Sequence, residues 1–259
     1  MTFRRRYRRI DKLAASGREG VSKSMFPGFL SWSCRYSVLL SACTVLTTAG
    51  WADAEILKCK GELAFVVSED PLIASSVCAT VERTSKFLGK CGLSVATPVH
   101  VSVSDELPLV GKGCLGLFEC EQQQIWLRTP AGMAEVRHEI GNFNGLDDQV
   151  VFESIVAHEW AHAAFEQTAC QSALCVDNHE YVANVAQMWS LPESLRDQLV
   201  AEFPVKAPVD THRLNAFVAA LAPDRFAAIA WQHFSEEGNG CDFVADLIEG
   251  RRTLQLLPE

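Results

Sequence analysis

Two histidines four residues apart, His158 and His162, stand inside a largely apolar run from Asp148 to Gln167. Val151, Ile155, His158, His162 and Phe165 recur at spacings of three and four. That period predicts a helix over 148–167, with Asp147 or Asp148 as its N-cap. Ala157, Ala161, Ala163 and Ala164 keep the flanks small and apolar, so this helix belongs in a core. A core has no use for two imidazoles unless their polar atoms are partnered.

On a helix, residues i and i+4 have Cβ atoms about 5–6 Å apart. Two imidazoles there converge on one ion at about 2.0–2.1 Å from each nitrogen. Glu159 projects beside the pair, where it can take a proton from a water activated by that ion. The plain alternative is a buried histidine pair satisfied by backbone groups. A catalytic zinc (Zn2+) site takes three protein ligands, and the third is expected from Asn178-His179-Glu180-Tyr181-Val182-Ala183-Asn184. Glu180 lies eighteen positions beyond His162, at the start of the next expected helix. A loop holding Cys170 and Cys175 turns the chain back between them. Asp177-x-x-Glu180 also fits a capping box, which would occupy the same carboxylate, and His179 is then the substitute ligand.

The chain ahead of this region divides in two. Residues 1–54 read as a leader and signal peptide. A basic run, Arg4 to Arg9, comes first; Arg35 then precedes the apolar Val38 to Ala49, and Ala52-Asp53-Ala54 has the A-x-A form of a cleavage site. The apolar run is too short for a bilayer, which needs about 20 residues. Lipidation at Cys43 and an uncleaved anchor are the competing readings. Of 23 Lys and Arg and 32 Asp and Glu, the leader holds 9 and 3, which leaves 14 and 29 and a charge of −15 after cleavage at Ala54. Such a surface repels phosphate backbones, so nucleic acid is excluded as a partner. The expected state is exported, periplasmic or extracellular, with no stable membrane span.

Residues 55–259 are long enough for one domain with a real core, and no repeat or linker divides them. Eight cysteines remain there: Cys59, Cys78, Cys91, Cys114, Cys120, Cys170, Cys175 and Cys241. An even count in an exported chain predicts up to four disulfides, and the short spacings suit Cys114 with Cys120 and Cys170 with Cys175. The front half alternates strand and helix signals. Strands are expected at 62–68, 99–103, 115–118 and 124–127, with a helix opened by Asp70-Pro71 and running to about Leu88. His138-Glu139 reads as loop. The back half is helical over 148–167, 178–190, 192–203, 211–220, 223–236 and 241–250. The fold class is therefore α+β, a small mixed sheet layer followed by a mainly helical half.

His158-Glu159-x-x-His162 followed by the helical Glu180 resembles the gluzincin branch of the zincin metallopeptidases. The order of sheet layer, zinc helix and later helices agrees with that resemblance. It implies a zincin-like domain in which His158, His162 and Glu180 hold zinc and Glu159 is the general base. Its implied activity is hydrolysis of a peptide or protein substrate. Asn184 stands where that group often has a polar residue supporting a ligand histidine. One departure from the pattern concerns the oxyanion, which these peptidases stabilise with Tyr or His. The only tyrosine after the leader is Tyr181, beside Glu180, so His212, Arg213 and His233 are the remaining candidates. A catalytically inactive, zincin-like binding module of the cell envelope is the alternative.

Overall fold

In a computed structural model the chain is described over residues 56–107, 113–140, 143–169 and 176–254. The leader, Cys43, Cys170 and Cys175 lie outside those residues. Strands β1 (Ile56–Lys58), β2 (Ala64–Val67), β3 (Val99–Ser104), β4 (Gly116–Glu119) and β5 (Gln124–Arg128) form one mixed sheet in the order β1-β2-β3-β5-β4. The central strands β2, β3 and β5 are parallel, and both edge strands run antiparallel to their neighbours. Helix α1 (Pro71–Lys90) makes the crossover from β2 to β3 that a parallel pair requires. The Asp70 carboxylate accepts from the Leu72 N–H, and Pro71 opens the first turn.

One face of the sheet builds the core. Val66, Val101 and Ile125 sit in register across β2, β3 and β5, and all three are buried. Beyond β5 the chain forms α2 (Pro130–Ile140) and then α3 (Asp148–Thr168), capped by Asp147, which accepts from the Gln149 and Val150 amides. Helix α4 (Val176–Ser190) follows. The helices α5 (Glu193–Glu202), α6 (Ala216–Leu221), α7 (Pro223–Phe234) and α8 (Gly240–Ile248) complete the back half. The architecture is α+β, with a small mixed sheet and, among the described residues, eight α-helices. No helix of the described residues is long and apolar enough to cross a membrane.

Three expectations are corrected. His138-Glu139 belongs to α2 and not to a loop, because Pro130 starts a helix that runs through both positions. The helix expected over 211–220 is a 3-10 turn, Thr211–Arg213, followed by α6, and Asn215 caps α6 by accepting from Val218 N–H. Cys114 and Cys120 do not pair, because β4 lies between them and an extended strand separates its flanks by roughly 20 Å. Disulfides instead join Cys59 to Cys78 and Cys91 to Cys241, the covalent chemistry of an oxidising compartment.

Candidate metal centre

Helix α3 is enclosed on several sides. It packs against α1, against α4 and against the edge strand β4. Trp160, fully buried, donates from its indole N–H to Ser85 Oγ of α1 at 2.8 Å. Toward α4 the contacts fall in reverse order: His158 meets Gln187, His162 meets Glu180, and Glu166 meets His179. Numbers rise on one helix as they fall on the other, so α3 and α4 are antiparallel. Ala161 and Ala183, both fully buried, lie between these pairs on their helices and let the two backbones approach.

That approach brings three potential ligands together. The Nε2 atoms of His158 and His162 are 3.0 Å apart, and His162 Nε2 is 3.9 Å from Glu180 Oε1. One ligand atom from each of His158, His162 and Glu180 falls within 4.8 Å of the others. Asp177 does not use Glu180 as a capping box. Its carboxylate accepts from the Ala216 N–H at 2.6 Å, at the start of α6. The Glu180 carboxylate is left facing His162, and Asn184 Nδ2 donates to the Glu180 backbone oxygen at 2.8 Å and to Oε2 at 3.4 Å.

Glu159 packs against β4. It is 3% exposed, the Phe118 backbone N–H donates to its carboxylate, and Oε2 is buried with no hydrogen-bond partner. Gly116 makes that position possible. A Cβ there would lie 2.7 Å from Glu159 Oε1 and 2.9 Å from both Glu159 Cγ and Ile155 Cγ2. Gly116→Ala is therefore expected to displace the Glu159 side chain and lower stability by roughly 1–3 kcal/mol. Chemical denaturation checks this, and a variant as stable as the parent would contradict the close approach.

The electrostatics of the cluster fit a cation. Burial, and then the Glu180 charge, push the Glu159 carboxyl up to about 8, and burial pushes that of Glu180 up to about 7. Burial pulls His158 down to about 4 and His162 well below the ordinary imidazole value. Helices α3 and α4 carry no Lys or Arg at all. Among the described residues neither Glu159 nor Glu180 has a Lys or Arg partner. Buried carboxylates normally pair with a cation or ligate a metal. Two neutral imidazoles and a carboxylate without a Lys or Arg partner among the described residues are the kinds of donor that zinc takes. Cys114 stays outside that set. Burial, and then the Glu159 charge, push its thiol up, away from the thiolate that binds metals.

The remaining residues singled out in the sequence sit elsewhere. His233 is buried, its Nδ1 is 2.9 Å from Tyr181 Oη, and its ring packs on Phe243. Tyr181 is thereby tied into the core of α4, α7 and α8. His212 and Arg213 are exposed on the 3-10 turn. Gln187, which no motif marked, touches the centre, and so does His179, the substitute ligand, which stays outside the grouped set. Gln187 Oε1 is 3.0 Å from His158 Nδ1, and His179 Nε2 is 3.3 Å from Glu166 Oε2, with its ring tilted against His162. Gln187 lies seven positions, two helical turns, past Glu180. That spacing is its only signal in the sequence.

No curated protein and no solved structure matches the chain. A family profile does match, over residues 64–257, a stretch that holds the sheet from β2 onward and every residue of the cluster. The chain therefore belongs to a family of unknown function (DUF6639).

Proposed function

We propose that this protein is an exported zinc-dependent peptidase of zincin type. The observation that carries the proposal is the meeting of His158, His162 and Glu180 within 4.8 Å, with Glu159 on the same helix as the histidines and close enough to feel the Glu180 charge. Those three residues would hold the ion. Zinc bound there would supply Lewis-acid polarisation of a carbonyl and lower the pKa of a water. Glu159 accepts the proton that the water loses as its oxygen attacks a peptide carbonyl carbon. It returns that proton to the amine nitrogen as the C–N bond breaks. Phe118 N–H and the space at Gly116 hold the carboxylate in place for both transfers. The two disulfides support a periplasmic or extracellular location.

A second reading, a zincin-like module that binds and does not hydrolyse, draws on one specific observation. Tyr181 and His233 are bound to each other in the core, and His212 is exposed on its turn, so none of these oxyanion candidates is grouped with the ligands. Elemental analysis and a peptide-library digest separate the readings. Purified protein is expected to carry about one zinc per chain and to cleave peptides, with cleavage stopped by a chelator. His158→Ala is expected to weaken zinc binding by more than about 100-fold, beyond what loss of an outer partner costs. Protein refolded with zinc that retains none would end the metal reading. Full zinc without cleavage would favour the binding module.

A further inference from the structure

We propose that Gln187 is a positioning residue, one that fixes the tautomer of His158 and so decides which of its ring nitrogens faces the metal centre. This rests on the zinc reading above, but it is argued from a separate chain of hydrogen bonds. The chain begins at a backbone carbonyl. Ser154 Oγ lies 2.8 Å from the Val151 carbonyl oxygen, and Gln187 Nε2 lies 3.3 Å from Ser154 Oγ. Ser154 and Gln187 are 1% and 2% exposed, so no bulk water competes for these groups.

A carbonyl oxygen only accepts. Two buried oxygens 2.8 Å apart need a proton between them, so the Ser154 hydroxyl donates to Val151. With its hydrogen spent, Ser154 can only accept from Gln187, which requires the amide NH2 on that side. The Gln187 carbonyl oxygen is then the end turned to His158, 3.0 Å from Nδ1. A carbonyl oxygen there requires Nδ1–H. His158 is therefore the Nδ1–H tautomer, and its Nε2 lone pair faces His162 and Glu180. The polarity of one serine hydroxyl, turned back to the carbonyl three positions before it, propagates through an amide to His158.

An amide suits this place better than the carboxylate that often supports a metal-bound histidine. Among the described residues the buried Glu159 and the half-buried Glu180 have no Lys or Arg partner, and a third carboxylate would add to their repulsion. Gln187 fixes the ring without adding charge. Asn184, the residue one turn past Glu180, serves the Glu180 carboxylate instead. The two supports are thus divided along α4, Asn184 for the acid and Gln187 for the imidazole.

The test combines a spectroscopic and a binding measurement on the full chain. Nitrogen NMR of the metal-free protein is expected to show His158 as the Nδ1–H tautomer. Gln187→Leu should leave a mixture of tautomers and lower zinc affinity by about 10–100-fold, the usual effect of losing such a partner. Gln187→Glu, which keeps an acceptor for Nδ1–H but adds a carboxylate and loses the donor to Ser154, should keep the Nδ1–H tautomer that Gln187→Leu loses. Ser154→Ala removes only the anchor of the amide, so it should give a smaller loss, and it carries the test if Gln187→Leu does not fold. Thermal unfolding of each metal-free variant separates positioning from general destabilisation. An Nε2–H tautomer in the parent protein would overturn the proposal, and so would unchanged zinc affinity in a folded Gln187→Leu. Failure of the parent to bind zinc would sink the metal reading alone, because the tautomer is read without metal.

Discussion

Glu159→Gln is expected to lower peptide hydrolysis by about 100- to 10,000-fold while leaving zinc content and fold intact, the range typical of a lost general base. Glutamine has the same shape as the glutamate and keeps an oxygen to accept from Phe118 N–H. It fits the space left at Gly116, so packing against β4 is retained. Glu159 is absent from the ligand set, so the donors of the metal are untouched. The substitution removes a basic oxygen and nothing else. Its effect should appear in kcat more than in KM, since a proton is transferred only as the reaction proceeds. Cleavage that survives in a zinc-loaded variant would show that another group takes the proton, or that a contaminating protease does the work. The contrast with His158→Ala is diagnostic, because that variant should lose activity and metal together.

Removing the Cys91–Cys241 disulfide should cost more stability than any other single covalent change in the described residues. The bond closes 150 residues, from the C-terminus of α1 to the first turn of α8, and so ties the sheet layer to the end of the helical half. Chain-entropy reasoning gives about 5 kcal/mol for a loop of that length and about 3 kcal/mol for the 19-residue separation of Cys59–Cys78. Native disulfides typically deliver about 2–5 kcal/mol in practice, which corresponds to a fall in Tm of roughly 4–20 °C for a chain of this size. Urea unfolding of Cys91→Ser/Cys241→Ser beside Cys59→Ser/Cys78→Ser tests the order. Equal losses, or none, would mean that loop closure is not what these bonds contribute.

Many of the helix starts are legible from the chain alone because their signals are short-range. Asp70-Pro71 starts α1, Asp147 caps α3, and proline opens α7, each through contacts within one turn. The positions of His158, Glu159 and His162 relative to one another follow from helical geometry, so a histidine pair with a carboxylate beside it can be read without tertiary information. Local patterning is weaker where a segment depends on its neighbours. Strand β1, three exposed residues long, exists only through its pairing with β2, and α2 lies in a stretch whose Gly and Asn argue for loop.

What the sequence by itself determined is the placement of two histidines four residues apart on one helix and the alternation of sheet and helix around it. Tertiary structure alone decided which carboxylate completes the set. Asp177 turns to Ala216, and the antiparallel packing of α4 brings Glu180 to His162. It also decided that β4 holds Glu159 through Gly116 and Phe118, some forty residues away in the chain, and that Gln187, twenty-nine positions from His158, meets its ring nitrogen. The disulfide partners belong with these. The physical reason is common to all of them: spacing along a helix is set by bonds within a turn, whereas burial, hydrogen-bond polarity and disulfide pairing depend on which distant segments the core brings into contact.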